Sequence, residues 1–220
     1  MKTDYTHISF LLDRSYSMLR IQQAMIDGFN KFINKQKLEP GEATVSVSQF
    51  DHEYNILSEM INIQDVQTLT NETYVPRGNT ALNDSTAKLI HSTGEKLAAL
   101  SEDERPSKVL FVVISDGEEN ASIEYNDIKL KELTTHQEEK YNWEFVYIGA
   151  NQDSRRESTS KGIHNFMNYA ANDISVSNAY NKLSKATTLY RSASVGSKFE
   201  IDDDADTEET ENLTNSQSTK

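Results

Sequence analysis

His7-Ile8-Ser9-Phe10-Leu11-Leu12-Asp13-Arg14-Ser15-Tyr16-Ser17 is a mainly apolar run that stops abruptly on a cluster of oxygen donors. Residues 7–12 have the character of a buried strand, and Asp13, Ser15 and Ser17 alternate with Arg14 and Tyr16 just beyond it. In a loop leaving a strand, three short oxygen-bearing side chains at that spacing curl toward one point. Hard cations such as Mg²⁺ and Mn²⁺ bind at such points through carboxylate, hydroxyl and water oxygens. The competing reading is that Asp13 and the two serines only cap the helix that follows.

Two further segments supply matching pieces. Arg77-Gly78-Asn79-Thr80-Ala81-Leu82-Asn83-Asp84 reads as a loop that opens an amphipathic helix and offers the Thr80 hydroxyl. Val109-Leu110-Phe111-Val112-Val113-Ile114-Ser115-Asp116-Gly117 reads as a strand apolar on both faces that ends in a carboxylate and a glycine. In these three segments the chain resembles the von Willebrand factor A family and its metal-ion-dependent adhesion site: Asp-x-Ser-x-Ser, a Thr, and an Asp after a central strand. The resemblance implies that Asp13, Ser15, Ser17, Thr80 and Asp116 hold Mg²⁺ or Mn²⁺, directly or through water. Tyr16 departs from the small residue that many members carry there. The likeness is nearest to stand-alone bacterial and phage-type members and covers roughly residues 5–195.

Working outward, residues 6–12 give the first strand and residues 18–36 a helix with Met18, Ile21, Met25, Phe29, Phe32 and Ile33 at helical spacing. Residues 43–50 and 53–58 are joined so tightly that they form an antiparallel hairpin. Residues 61–79 are a long polar connection without a convincing period, of the length that is often functional. A helix from Leu82 to Leu100, the strand 108–115, a polar helix 124–140, a strand 143–149, a short helix 153–162, a strand 165–169 and a final amphipathic helix complete the pattern. This predicts a doubly wound, mostly parallel α/β sheet with helices on both faces. The resemblance implies six strands in the order 3-2-1-4-5-6, strand 3 being the antiparallel edge. In that order Asp13 and Asp116 fall where the winding reverses, beyond the carboxyl ends of neighbouring strands, which is where open sheets bind ligands.

The 220 residues suffice for one domain, assigned here to residues 1–198. Residues 199–220 hold eight acidic residues and one lysine, a net −7 that leaves −6 for the rest of the total −13. Such a tail has too little apolar surface to fold alone, and disorder is expected there. The acidic balance, without a basic run, argues against nucleic acid. With no cysteine, no signal-like N-terminus and no run of eighteen apolar residues, the expectation is a cytoplasmic protein with no membrane segment.

The expected function is metal-dependent binding of an acidic group on another protein. If one carboxylate touches the metal, formal addition leaves about +1 on the ion and its ligands, which attracts an anionic oxygen from outside. Glu118, Glu119, Asn120, Asp84 and Asn151 are candidate rim residues. One alternative is a Mg²⁺-dependent hydrolase. Haloacid-dehalogenase-type phosphatases need Asp-x-Asp after the first strand, whereas this chain has Ser15 at the second position. His7, His52, His91, His136 and His164 include no i,i+4 pair and no nucleophile elbow is present, so the chain is read as a non-enzyme. Another alternative is an assembly subunit whose metal only stabilises the loops. The sequence does not define an oligomeric state.

Overall fold

In a computed structural model, which describes residues 1–116, 118–150 and 154–201, six strands form a single sheet. The elements run β1 (Lys2–Asp13), α1 (Gln22–Gln36), β2 (Glu42–Phe50), β3 (Tyr54–Asn62), α2 (Leu82–Ala99), β4 (Pro106–Ser115), α3 (Asp127–Tyr141), β5 (Glu144–Ala150), α4 (Ser154–Ser160), β6 (Asn165–Tyr169) and α5 (Asp173–Ser192). The sheet order is β3-β2-β1-β4-β5-β6, with only β3 antiparallel, as expected. Alternation along β1 explains the two layers. Ile8, Phe10 and Leu12 enter a core shared with α1 and α5, while Leu11 enters one shared with α2 and α3.

Several boundaries differ from expectation for identifiable reasons. β1 begins at Lys2 because Lys2 N donates to Arg105 O (2.9 Å), although the side chains of residues 2–4 stay exposed and give no apolar signal. Residues Tyr16–Ile21 form a separate 3₁₀ turn before α1. β3 runs to Asn62, with register shifts against β2 and a left-handed Met60 at φ 50°. The polar connection that follows buries Ile63, Val66, Leu69 and Tyr74. Side chains take its backbone groups: Asn30 pairs with both N and O of Leu69, Gln49 donates to Thr73 O and Gln22 to Tyr74 O.

Beyond α5, Phe199 is buried, and both Phe199 N and Lys198 Nζ donate to the Glu144 carboxylate. The packed chain therefore continues past the expected boundary at residue 198. Residues 202–220, which hold most of the acidic tail, lie outside the described residues. None of the described helices is long and apolar enough to cross a membrane.

Two features give measurable consequences. A Cβ on Gly28 of α1 would lie 2.2 Å from Cδ2 of Tyr180 on α5. Alanine is the better helix former by about 1 kcal/mol, yet overpacking costs about 1–3 kcal/mol; Gly28→Ala is expected to lower the unfolding free energy measured in urea. His7, fully buried among Thr44, Ser9 and Ser46, is pushed down by desolvation to a pKa of about 4. The unfolded chain takes up that proton first, so this contribution is complete above pH 6.5 and lost as pH falls toward 4. The stability difference between wild type and His7→Gln should shrink by about 1.4 kcal/mol per pH unit in that window, read from urea melts at several pH values.

Candidate metal centre

Parallel pairing of β1 with β4, in the register Leu12↔Ile114, brings the two strand ends side by side. Asp13 is completely buried. Its Oδ1 accepts from Ser15 N (2.6 Å) and its Oδ2 from Ser115 Oγ (2.5 Å). The chain of short contacts continues from Ser15 Oγ to Ser17 Oγ (3.0 Å), and Ser17 Oγ donates to Asp116 Oδ1 (2.5 Å). Four of the five expected ligands thus form one connected cluster. Asp116 Oδ2 is buried and accepts no hydrogen bond among the described residues, while Arg20 Nη2 lies 3.6 Å away, too far for one.

The loop that carries Thr80 is tied to the Asp13 loop through the backbone. Tyr16 N donates to Gly78 O (3.1 Å) and Arg77 N to Arg14 O (2.7 Å). Thr80 O accepts from the backbone N of Asn120 and of Ala121, and Thr80 N donates to Asn120 Oδ1 (2.9 Å). Among the described residues these contacts do not engage the Thr80 hydroxyl. Gly78 has φ 67°, and a Cβ there would meet His52 Nδ1 at 2.2 Å, so the turn requires glycine.

Burial pushes the Asp13 carboxyl up to about 6 against the hydrogen bonds from Ser115 and Ser15, with the nearby Asp116 charge adding to the rise. Asp116 is also raised by burial, and Ser17 and Arg20 oppose the shift. Two desolvated carboxyls this close repel when both are ionised, and a divalent cation between them would reverse that cost. The Asp116 oxygen without a hydrogen bond, the two carboxyls and the neutral hydroxyls fit a hard cation.

The sequence did not reveal Asp51 as the anchor of these loops. It is fully buried at the end of β2. Its Oδ2 lies 3.0 Å from Arg14 Nε and 2.8 Å from Arg77 Nε, its Oδ1 accepts from Glu53 N (2.6 Å), and its carbonyl accepts from Ala81 N (2.8 Å). The Arg14 contact is an ion pair out of line for a hydrogen bond. Asp51, His52 and Glu53 also place one potential ligand atom each within 4.8 Å of one another. Two guanidinium groups already neutralise Asp51, which makes this set a poor cation site. Tyr74, fully buried, donates its hydroxyl to Asp13 O and supports the loop from below.

Three of the expected rim residues are committed to holding loops. Glu119 accepts from Asn83 N, Ala121 N and both Ser122 N and Oγ; Asp84 accepts from the backbone of Ile123, Glu124 and Tyr125; Asn120 holds Thr80. Glu118 is exposed. Asn151 and Gly117 lie outside the described residues. Tyr16 (67 % exposed) and Leu19 (48 %) stand out beside the cluster instead. Of the histidines, His7 is a buried packing residue, and His52, His91 and His164 make contacts at the surface.

A strand-end cluster of this composition on this sheet defines a class. The von Willebrand factor type A domain matches residues 7–186, and the chain belongs to that family. Similar solved structures include the vWF domain of the pilus tip protein Mfa5 of Porphyromonas gingivalis, at 10 % identity and TM-score 0.61, covering 88 % of this chain and 98 % of that one. Manganese-loaded TRAP of Plasmodium vivax is similar at 14 % identity and TM-score 0.55, covering 82 % and 73 %. Proximal thread matrix protein 1 of the mussel byssus, with a zinc-occupied MIDAS motif, is similar at 13 % identity and TM-score 0.56, covering 84 % and 46 %. Several of the similar structures are longer proteins, of which this chain spans less than half. No curated protein matches the sequence.

Removing the Asp51 side chain leaves Arg14 buried beside the site without its counter-charge. Breaking such a pair costs about 3–5 kcal/mol, and Asp51→Ala is expected to lose that much in chemical denaturation.

Proposed function

We propose that this chain binds one Mg²⁺ or Mn²⁺ ion through Asp13, Ser15, Ser17, Thr80 and Asp116, and uses it to hold an acidic group of another protein. The observation that carries this is the connected cluster of carboxylates and hydroxyls containing the buried Oδ2 of Asp116, which accepts no hydrogen bond among the described residues. A metal contacted directly by one carboxylate keeps a formal surplus of about +1 and open or water-filled positions, so the complementary ligand is an Asp or Glu side chain. The similar proteins named as manganese-loaded or zinc-occupied support a divalent ion at this place in the fold.

The hydrolase reading is weaker. Both Asp13 oxygens are engaged inside the protein and that residue is fully buried, which disfavours it as a nucleophile. Position 15 offers a hydroxyl where a phosphatase of the Asp-x-Asp type needs its acid or base. An assembly role with a purely stabilising metal predicts a gain in thermal stability without metal-dependent partner binding.

Calorimetry with Mn²⁺ should show one site in the wild type and none in the Asp13→Ala, Asp116→Ala double variant. One ion bound with unchanged affinity by the double variant would rule the site out. A partner retained with Mg²⁺ should be released by EDTA and by Thr80→Ala; indifference to both would leave only the stabilising role.

A further inference from the structure

Arg20 stands at the site without belonging to the ligand set. It lies on the 3₁₀ turn Tyr16–Ile21, three residues after Ser17, and side chains three apart eclipse one another at three residues per turn. Ser17 and Arg20 therefore face the same carboxylate. Ser17 Oγ donates to Asp116 Oδ1 at 2.5 Å, and Arg20 Nη2 sits 3.6 Å from Asp116 Oδ2. That pairing is the one salt bridge Arg20 makes among the described residues, and its side chain is 56 % exposed.

The geometry points to Arg20 as a built-in counter-cation for Asp116: it neutralises the carboxylate while no metal is bound and moves out when a divalent ion takes Oδ2. This inference rests on the metal reading above. A guanidinium is weakly hydrated and carries a full positive charge, so it serves as a stand-in cation where a carboxylate is withdrawn from water. It cannot remain against an oxygen that a divalent ion contacts, because like charges at that distance repel. Its exposure means that swinging outward sacrifices little packing. The ion must therefore displace an internal competitor, and the affinity is lower than the five ligands alone would give.

The test is Mn²⁺ calorimetry on the full chain, comparing wild type with Arg20→Gln, Arg20→Lys and the control Lys35→Gln, which removes an equal charge at the far end of α1. Arg20→Gln is expected to bind Mn²⁺ roughly two- to fivefold more tightly at low salt, the range an exposed ion pair accounts for, and the gain should shrink at high salt as screening shortens the reach of the charge. Arg20→Lys should fall between the two. In the wild type, the Arg20 Nε–Hε NMR resonance should shift in step with Mg²⁺ occupancy. Equal affinities for wild type and Arg20→Gln at low salt, an equal gain in Lys35→Gln, or an Arg20 resonance unmoved by Mg²⁺ would each overturn the inference while leaving the metal site intact. Failure of the wild type to bind Mn²⁺ would instead overturn the metal reading and this inference with it.

Discussion

The register between β1 and β4 is the constraint on which the site depends. Because Leu12 pairs with Ile114, the next residues on each strand are Asp13 and Ser115, and their side chains meet at 2.5 Å. A shift of one residue would turn Asp13 to the other face of the sheet and exchange the side chains that fill the two cores. The burial of Ile8, Phe10 and Leu12 on one face and Leu11 on the other therefore holds the acidic pair in place as firmly as it holds the fold. Stability and site geometry share one cause.

What the strands bring together, carboxylates then fasten. Asp51 ties the Asp13 loop to the loop carrying Thr80 through Arg14 and Arg77, and Glu119 and Asp84 tie the segment after β4 onto the start of α2. Each of these carboxylates collects backbone N–H groups or guanidinium groups that would otherwise be left without partners in irregular chain. The crest is a set of loops, but these backbone groups among the described residues are paired as they would be in regular structure.

The parts of this arrangement legible in sequence were those with a local signature. A buried strand ending in Asp13, another ending in Asp116, and a glycine turn before Thr80 can each be read from ten residues, and the sheet order follows once the family likeness is seen. Asp51 was not legible, since an Asp opening a hairpin turn looks the same whether or not two distant arginines converge on it. Glu119, Asn120 and Asp84 were read as rim residues because a polar residue in a loop carries no sign of the backbone it will hold. The 61–79 connection lacked a period because it is neither helix nor strand: Ile63, Val66, Leu69 and Tyr74 are buried at irregular spacing, and Asn30, Gln49 and Gln22 on other elements satisfy its backbone. Only the folded neighbours explain those residues.

The exit of the chain carries a mechanical consequence. Arg191 grips the carbonyls of Gln36, Glu39, Pro40 and Gly41, Lys108 grips those of Arg191 and Ala193, and Phe199 is seated beside Glu144, all at the edge where β2, β4 and β5 begin. The metal-type cluster lies at the opposite edge. A tension applied between a ligand at the crest and whatever pulls on residue 201 would run along the strands and not across them. Hydrogen bonds between neighbouring strands would then share the load in shear, many at once, and the outermost attachments at Phe199 and Glu144 would give way before the sheet did.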